Sequence, residues 1–294
     1  SYPDKPIILL VFDESELSIL PRNYLKSIDN IFIWSGNSNV FTAIIKYIED
    51  KSNVDRDTSK GDIRSIIVIE DTPRYYSSIL PMLYKIIVYH TKELINKSLN
   101  DTQKLLHLRK RPKILLAQNY EDAIIYFDKY QDNLLGIISD IRFPRSNKQD
   151  SKAGIHFSEY VQSYNDAIPI ILQTTEMSIK DKTASITDLL LNKNSSTLYQ
   201  DLKNMIIKNF GFGDFIFKNG NDNSNSMIAQ NIEELLVGIQ NISSESLVYH
   251  ASRNHFSNWL ATRGEFELAN QFRQLKNSHF DNIRERRALH ISLL

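Results

Sequence analysis

Short β-branched runs alternating with longer segments of helical period constrain this chain more than any other feature of its sequence. The runs are "KPIILLVF" (5–12), "IDNIFIW" (28–34), "IRSIIVIED" (63–71), "ILLA" (114–117), "LLGIISD" (134–140), "IPIILQTTE" (168–176) and "ITDLLLNK" (186–193). Between them lie helical stretches: "VFTAIIKYIEDK" (40–51), a long one from Pro73, "YEDAIIYFDKY" (120–130), "IHFSEYVQSY" (155–164) and "LYQDLKNMIIKNF" (198–210). Such alternation argues for βα units and a parallel sheet. Near-continuous apolar strands are what a sheet covered on both faces requires. An α/β, doubly wound parallel sheet is therefore expected. Pro73 suits a first helical turn, and Pro81 is expected to kink or break the helix that follows it.

The 294 residues exceed the usual single-domain size, so two or three domains are expected. "SNVDRDTSKGD" (52–62) is polar, holds Gly61 and lacks periodicity, so residues 53–62 read as a linker. Beyond residue 210 "FGDFIF" reads as a short strand, "NGNDNSNS" as a loop and 244–275 as helical. The organisation expected is a segment 1–52, the linker, an α/β domain 63–210 and a mostly helical module 211–294.

Lys+Arg and Asp+Glu both total 35, so no net charge draws the molecule to nucleic acid or an anionic membrane. The basic "HLRKRPK" (107–113) reads as a solvated loop rather than a nucleic-acid patch. No helix-turn-helix with a basic recognition helix follows residue 210. The absence of cysteine rules out disulfides and thiolate metal sites. No apolar run reaches the ~20 residues of a membrane span. "SYPDKPIILLVF" lacks a signal pattern, and a soluble, cytoplasmic protein is expected.

The strand ends carry the chemistry. Four central strands finish on Glu70 and Asp71, on Asp140, on Thr174, and on Lys193. In open α/β sheets ligands bind beyond the carboxyl ends of the strands. As parallel neighbours, these ends would gather three carboxylates, a hydroxyl and an ammonium. Crowded carboxylates raise one another's pKa unless a cation lies between them. A hard, all-oxygen site suits Mg²⁺, with the hydroxyl and ammonium as donors to a phosphoryl group. The set describes a place where Asp140 attacks phosphorus, with metal, Thr174 and Lys193 holding the product.

With "VIEDTP", "IISDIRFP", "IPIILQTTE" and "LLLNK" standing in this order, residues 63–210 resemble the receiver domain of two-component response regulators. The resemblance implies a flavodoxin-like, five-stranded parallel sheet (the receiver fold). It also implies Asp140 as phosphoacceptor, Glu70 and Asp71 as the acidic pair for Mg²⁺, and the Arg142 backbone carbonyl as a further ligand. Thr174 matches the switch hydroxyl and Lys193 the lysine ending the fifth strand. The implied partners are a histidine kinase or phosphotransfer protein, together with an effector domain or protein; a homo-oligomer is compatible with it. Residues 1–52 resemble the last two strands and helix of a second receiver, with Val11 at the hydroxyl position and Ser35 where a lysine is expected, so this segment is expected to be chemically silent.

Three departures bear on signal readout. Asn194 follows Lys193 where the family usually has a cis proline, and Leu190 replaces the switch aromatic. The span from Asp71 to Asp140 is long, implying an extended or inserted helix. Two readings follow: a phosphorylated receiver, or a pseudo-receiver that serves assembly or regulation. A haloacid-dehalogenase-type hydrolase wants a second carboxylate two residues beyond its nucleophile, where this chain has Arg142.

In "SLVYHASRNHFSNWLATRGEFELANQFR" (246–273), Leu247, Trp259, Phe266 and Phe272 read as a core stripe. His250 and His255, five apart, do not share a helix face, so no two-histidine metal site is expected. The stretch resembles segments beside receiver domains in bacterial proteins related to phosphoenolpyruvate synthase, without that enzyme's catalytic motif. This implies the regulatory N-terminal region of a larger enzyme.

Overall fold

A computed structural model describes residues 5–21, 27–97, 104, 110–187, 189–218, 227–275 and 282–294. The "NGNDNSNS" stretch (219–226) and residues 107–109 of the basic run lie outside these.

The elements follow in chain order. They are β1 (Ile8–Val11), α1 (Ser15–Ile19), β2 (Asn30–Ile33), α2 (Asn39–Gly61), β3 (Ser65–Ile69), α3 (Pro73–Lys97), β4 (Lys113–Ala117), α4 (Tyr120–Tyr130) and β5 (Leu134–Asp140). Next come β6 (Phe143–Arg145), β7 (Lys148–Asp150), α5 (Ala153–Tyr164), β8 (Ile170–Thr174), α6 (Lys180–Thr183), β9 (Leu190–Asn192) and α7 (Leu198–Asn209). The C-terminal part holds β10 (Phe215–Ile216), β11 (Ile228–Ala229), α8 (Ile232–Asn241), α9 (Ser244–Ala251), α10 (His255–Thr262), α11 (Phe266–Gln274) and α12 (Ile283–Leu293).

Five strands form one parallel sheet in the order β4-β3-β5-β8-β9. Numbered within the sheet this is 2-1-3-4-5, the order of flavodoxin-like sheets. Strand period sorts the side chains between two faces. Ile66, Val68, Ile138 and Ile171 meet α3 and α7, while Ile67, Ile69, Ile137 and Leu172 meet α4 and α5. Both faces are dry, as the continuous apolar runs require. Helix α3 continues unbroken through Pro81 and is 25 residues long, which accounts for much of the long span before Asp140.

The stretch read as a linker is instead the last turns of α2, which ends only at Gly61, with Asp62 as its left-handed C-cap. What sequence periodicity missed is a polar face turned to a polar partner. Asp50, fully buried, accepts from the outward-facing N–H of Ile114 on edge strand β4 (3.0 Å) and from Tyr84 Oη (2.9 Å). Arg111 pairs with Asp50 at 2.6 Å, and Lys113 with Asp57 at 2.8 Å. Two residues of the basic run are therefore buried ion-pair partners rather than a solvated loop: Arg111 and Lys113 hold α2 against the open edge of the sheet. Covering an edge strand in this way blocks pairing with another chain.

At the N-terminus, β1 and β2 form a parallel pair that packs on α3. Ser77 Oγ accepts from Ile33 N–H (2.9 Å), Tyr76 donates to the Ile31 carbonyl, and Phe32 meets the Tyr76 ring edge-on. "FGDFIF" does form a short strand, pairing antiparallel with β11. The helical stretch 244–275 is divided in three, with breaks at Asn254 (φ +55°) and Gly264 (φ +84°). Leu247, Trp259, Phe266 and Phe272 are buried in the apolar cluster that also contains α3 and α7. No helix among the described residues is long and apolar enough to cross a membrane.

Candidate functional site

Three adjacent strands of the sheet, β3, β5 and β8, and the edge strand β9 deliver the site residues to one end. Glu70 and Asp71 follow β3, Asp140 ends β5, Thr174 ends β8, and Lys193 follows β9. Because all five strands are parallel, these positions share the carboxyl edge. Glu70, Asp71 and Asp140 each present a carboxylate oxygen within 4.8 Å of the others.

Lys193 Nζ sits between two of the acids, 2.6 Å from Glu70 Oε2 and 2.6 Å from Asp140 Oδ2. Its third side is the Tyr75 ring, 4.2 Å from centroid to Nζ. Glu70 also accepts from Thr72 N–H (3.2 Å), and Asp140 Oδ1 accepts from Ile141 N–H (2.7 Å). Thr174 is buried, and its hydroxyl is engaged with Glu176, accepting the backbone N–H at 2.9 Å. The Lys193 N–H donates to the Thr174 carbonyl (2.7 Å), tying the last two site strands together. Arg142 lies exposed in the bend beyond β5, so its side chain is no part of the cluster. The described peptide bonds are all trans, including that between Lys193 and Asn194.

Electrostatics follow burial. Glu70, 1% exposed, is pushed up to about 7, first by burial and further by the Asp140 charge, with Lys193 pulling the other way. Asp71 is raised as well, by burial and by Asp140, against a hydrogen bond from Gln149. Burial alone would depress Lys193, but Glu70 and Asp140 outweigh it and hold the ammonium above its ordinary value. Three carboxylates facing one ammonium leave negative charge uncompensated. The donor set is oxygen only, hard and clustered, which fits a divalent cation of the Mg²⁺ type.

All five predicted side chains, Glu70, Asp71, Asp140, Thr174 and Lys193, lie at this edge. Three neighbours escaped the sequence reading: Tyr75, Gln149 and Gly154. Residues 143–150 form a β-hairpin, β6–β7, turned at Ser146 and Asn147 with φ of +52° and +61°. Two left-handed residues in a two-residue loop match the twist of the strands, and Asn tolerates this region better than most residues. From that hairpin Gln149 Nε2 donates to Asp71 Oδ2 at 2.7 Å. Gly154, in the first turn of α5, lies directly against the Asp140 backbone: an added Cβ would lie 2.3 Å from the Asp140 carbonyl oxygen.

The two histidines of the C-terminal part also differ from expectation. The break at Asn254 puts His250 and His255 on successive helices, with Nδ1 atoms 3.0 Å apart. His250 Nε2 accepts from Lys218 N–H (2.9 Å), so its proton lies on Nδ1. Burial depresses His250 to about 3 and His255 well below its ordinary value. No acidic side chain joins them in a metal-ligating group among the described residues. Comparison of the chain with protein-family models, curated proteins and solved structures found no match.

Proposed function

We propose that this chain is a phosphoacceptor receiver module of a phosphorelay, in which Asp140 is phosphorylated in a Mg²⁺-dependent reaction. The observation that carries this reading is Lys193 Nζ held at 2.6 Å from both Glu70 and Asp140, beside Asp71, at the carboxyl edge of a 2-1-3-4-5 parallel sheet. An Asp140 carboxylate oxygen forms a bond to phosphorus while the bond from phosphorus to the donor's leaving atom breaks, its electron pair departing with the leaving group. With acetyl phosphate the leaving group is acetate; with a histidine kinase or phosphotransfer protein it is the imidazole. Glu70, Asp71, Asp140 and the Arg142 carbonyl would hold Mg²⁺, which when bound neutralises phosphoryl charge. Lys193 offers its ammonium to a phosphoryl oxygen, and Thr174 supplies a hydroxyl once it turns from Glu176. The phosphorylated state would act on an attached or separate effector, and the C-terminal module expected over 211–294 is one candidate for that role. Support for placing it beside a phosphoenolpyruvate synthase-related enzyme rests on sequence resemblance alone.

A second reading, a pseudo-receiver serving assembly or regulation, is favoured by one observation. Lys193 already bridges Glu70 and Asp140 without metal, so the pocket holds an internal ion-pair network. The test is chemical trapping. After incubation with Mg²⁺ and acetyl phosphate, hydroxylamine converts an aspartyl phosphate to a hydroxamate. Peptide mass mapping that places it on Asp140 supports the receiver; no hydroxamate under these conditions supports the pseudo-receiver.

A further inference from the structure

The hairpin β6–β7 stands where the chain needs only a short connection from β5 to α5, and it is tied down from several sides. The Arg145 guanidinium stacks 4.4 Å over the Tyr120 ring, and Ser146 N–H donates to Glu121 Oε1 at 2.9 Å. Asp150 faces Arg145 and His156 and accepts from Lys152 N–H at 2.8 Å. Strand alternation then sends Gln149, between Lys148 and Asp150, to the other face of the hairpin. That face is turned to the carboxylate cluster, and Gln149 Nε2 reaches Asp71 Oδ2 at 2.7 Å. The Thr72 hydroxyl is a distant 3.5 Å from Asp71 Oδ1. Gln149 is thus the short side-chain donor on this acid.

A neutral amide on one carboxylate oxygen leaves the other oxygen free and fixes the plane of the group. Ligating carboxylates depend on such outer partners, whose loss costs typically ten- to a hundredfold in metal affinity. Resting on the receiver reading above, we infer that Gln149 is a positioning residue for the divalent cation: it holds Asp71 in its ligating orientation and touches neither phosphoryl group nor metal. The hairpin is the rigid arm that presents it.

The experiment is calorimetric titration of the full chain with Mg²⁺, comparing wild type, Gln149→Ala and Lys148→Ala. A parallel series measures phosphorylation by acetyl phosphate at saturating Mg²⁺. Expected is a Mg²⁺ Kd raised about tenfold in Gln149→Ala alone. The phosphorylation rate at saturating Mg²⁺ and the melting temperature in chelator should stay as in wild type. An unchanged or tighter Kd in Gln149→Ala overturns the inference. So does an equal weakening in Lys148→Ala, or a fall in melting temperature, which would assign the effect to the hairpin as a whole. Failure of the underlying reading is visible separately. Wild type would then show neither Mg²⁺ binding nor an adduct, and the inference falls with it.

Discussion

Asn258 Nδ2 donates to the carbonyl of Leu135 at 2.9 Å, at the start of the strand whose far end carries Asp140. The same amide approaches the Asn209 carbonyl (3.3 Å), and Arg273 donates to the Asp132 carbonyl (2.8 Å) and to Asn258 Oδ1 (3.1 Å). The helical module therefore grips the amino-terminal edge of the sheet, opposite the acidic pocket. Asn258→Ala leaves two buried carbonyls without this donor, a loss of about 2 kcal/mol. Urea unfolding should show that loss, with Mg²⁺ binding by the remaining folded protein unchanged.

Gly154 and Asp140 are coupled through the backbone. A methyl at position 154 would lie 2.3 Å from the Asp140 carbonyl oxygen and 2.8 Å from Ile141 Cα, and rigid backbone cannot yield as a flexible side chain does. Gly154→Ala should move the Asp140 carboxylate and slow the proposed phosphorylation by acetyl phosphate at least tenfold, since displacements near 1 Å can cost a hundredfold. Circular dichroism should still report a folded chain.

Asp50 tests the edge-covering role of α2. Replacing it by Ala removes the 2.6 Å partner of buried Arg111, which keeps only the longer contact to Glu49 (3.4 Å) among carboxylates, and leaves the Ile114 N–H unpaired. Breaking such a pair costs about 3–5 kcal/mol. Asp50→Ala should unfold at markedly lower urea, whereas Glu49→Ala, whose carboxylate is 40% exposed, should shift the midpoint little.

The pH dependence follows from Glu70. Its carboxyl is raised to about 7 in the folded chain from an ordinary 4.5, so the folded state binds the extra proton. Stability from this group is then greatest below about 4.5 and declines as pH rises towards 7. In chelator, the wild-type melting temperature should fall over that window relative to Glu70→Gln. Because ligating carboxylates must be ionised, apparent Mg²⁺ affinity should climb as pH passes through about 7. A flat profile would exclude Glu70 as a ligand of the proposed Mg²⁺.

Period and strand ends made the sheet legible in the sequence. Apolar runs such as 63–71 and 134–140 can be buried on both faces only inside a βα array, and each stops where Glu70 or Asp140 meets the open edge. Tertiary polar pairing hid the rest. Residues 52–61 are helical because Asp50 and Asp57 of α2 meet Arg111 and Lys113, partnerships between residues far apart in the chain that no local pattern displays. The hairpin at 143–150 has no alternating apolar face, so nothing announced it or Gln149. His250 and His255 met because Asn254 adopts a left-handed conformation, which breaks the helix that their spacing presumes.

Intact mass after incubation with Mg²⁺ and acetyl phosphate, with Asp140→Asn as control, is the decisive measurement of whether Asp140 accepts a phosphoryl group. A phosphorylatable Asp140 gives one phosphoryl adduct, absent in Asp140→Asn and absent when chelator is added beforehand. No adduct on the wild type, or an adduct that persists in Asp140→Asn, would contradict the receiver reading.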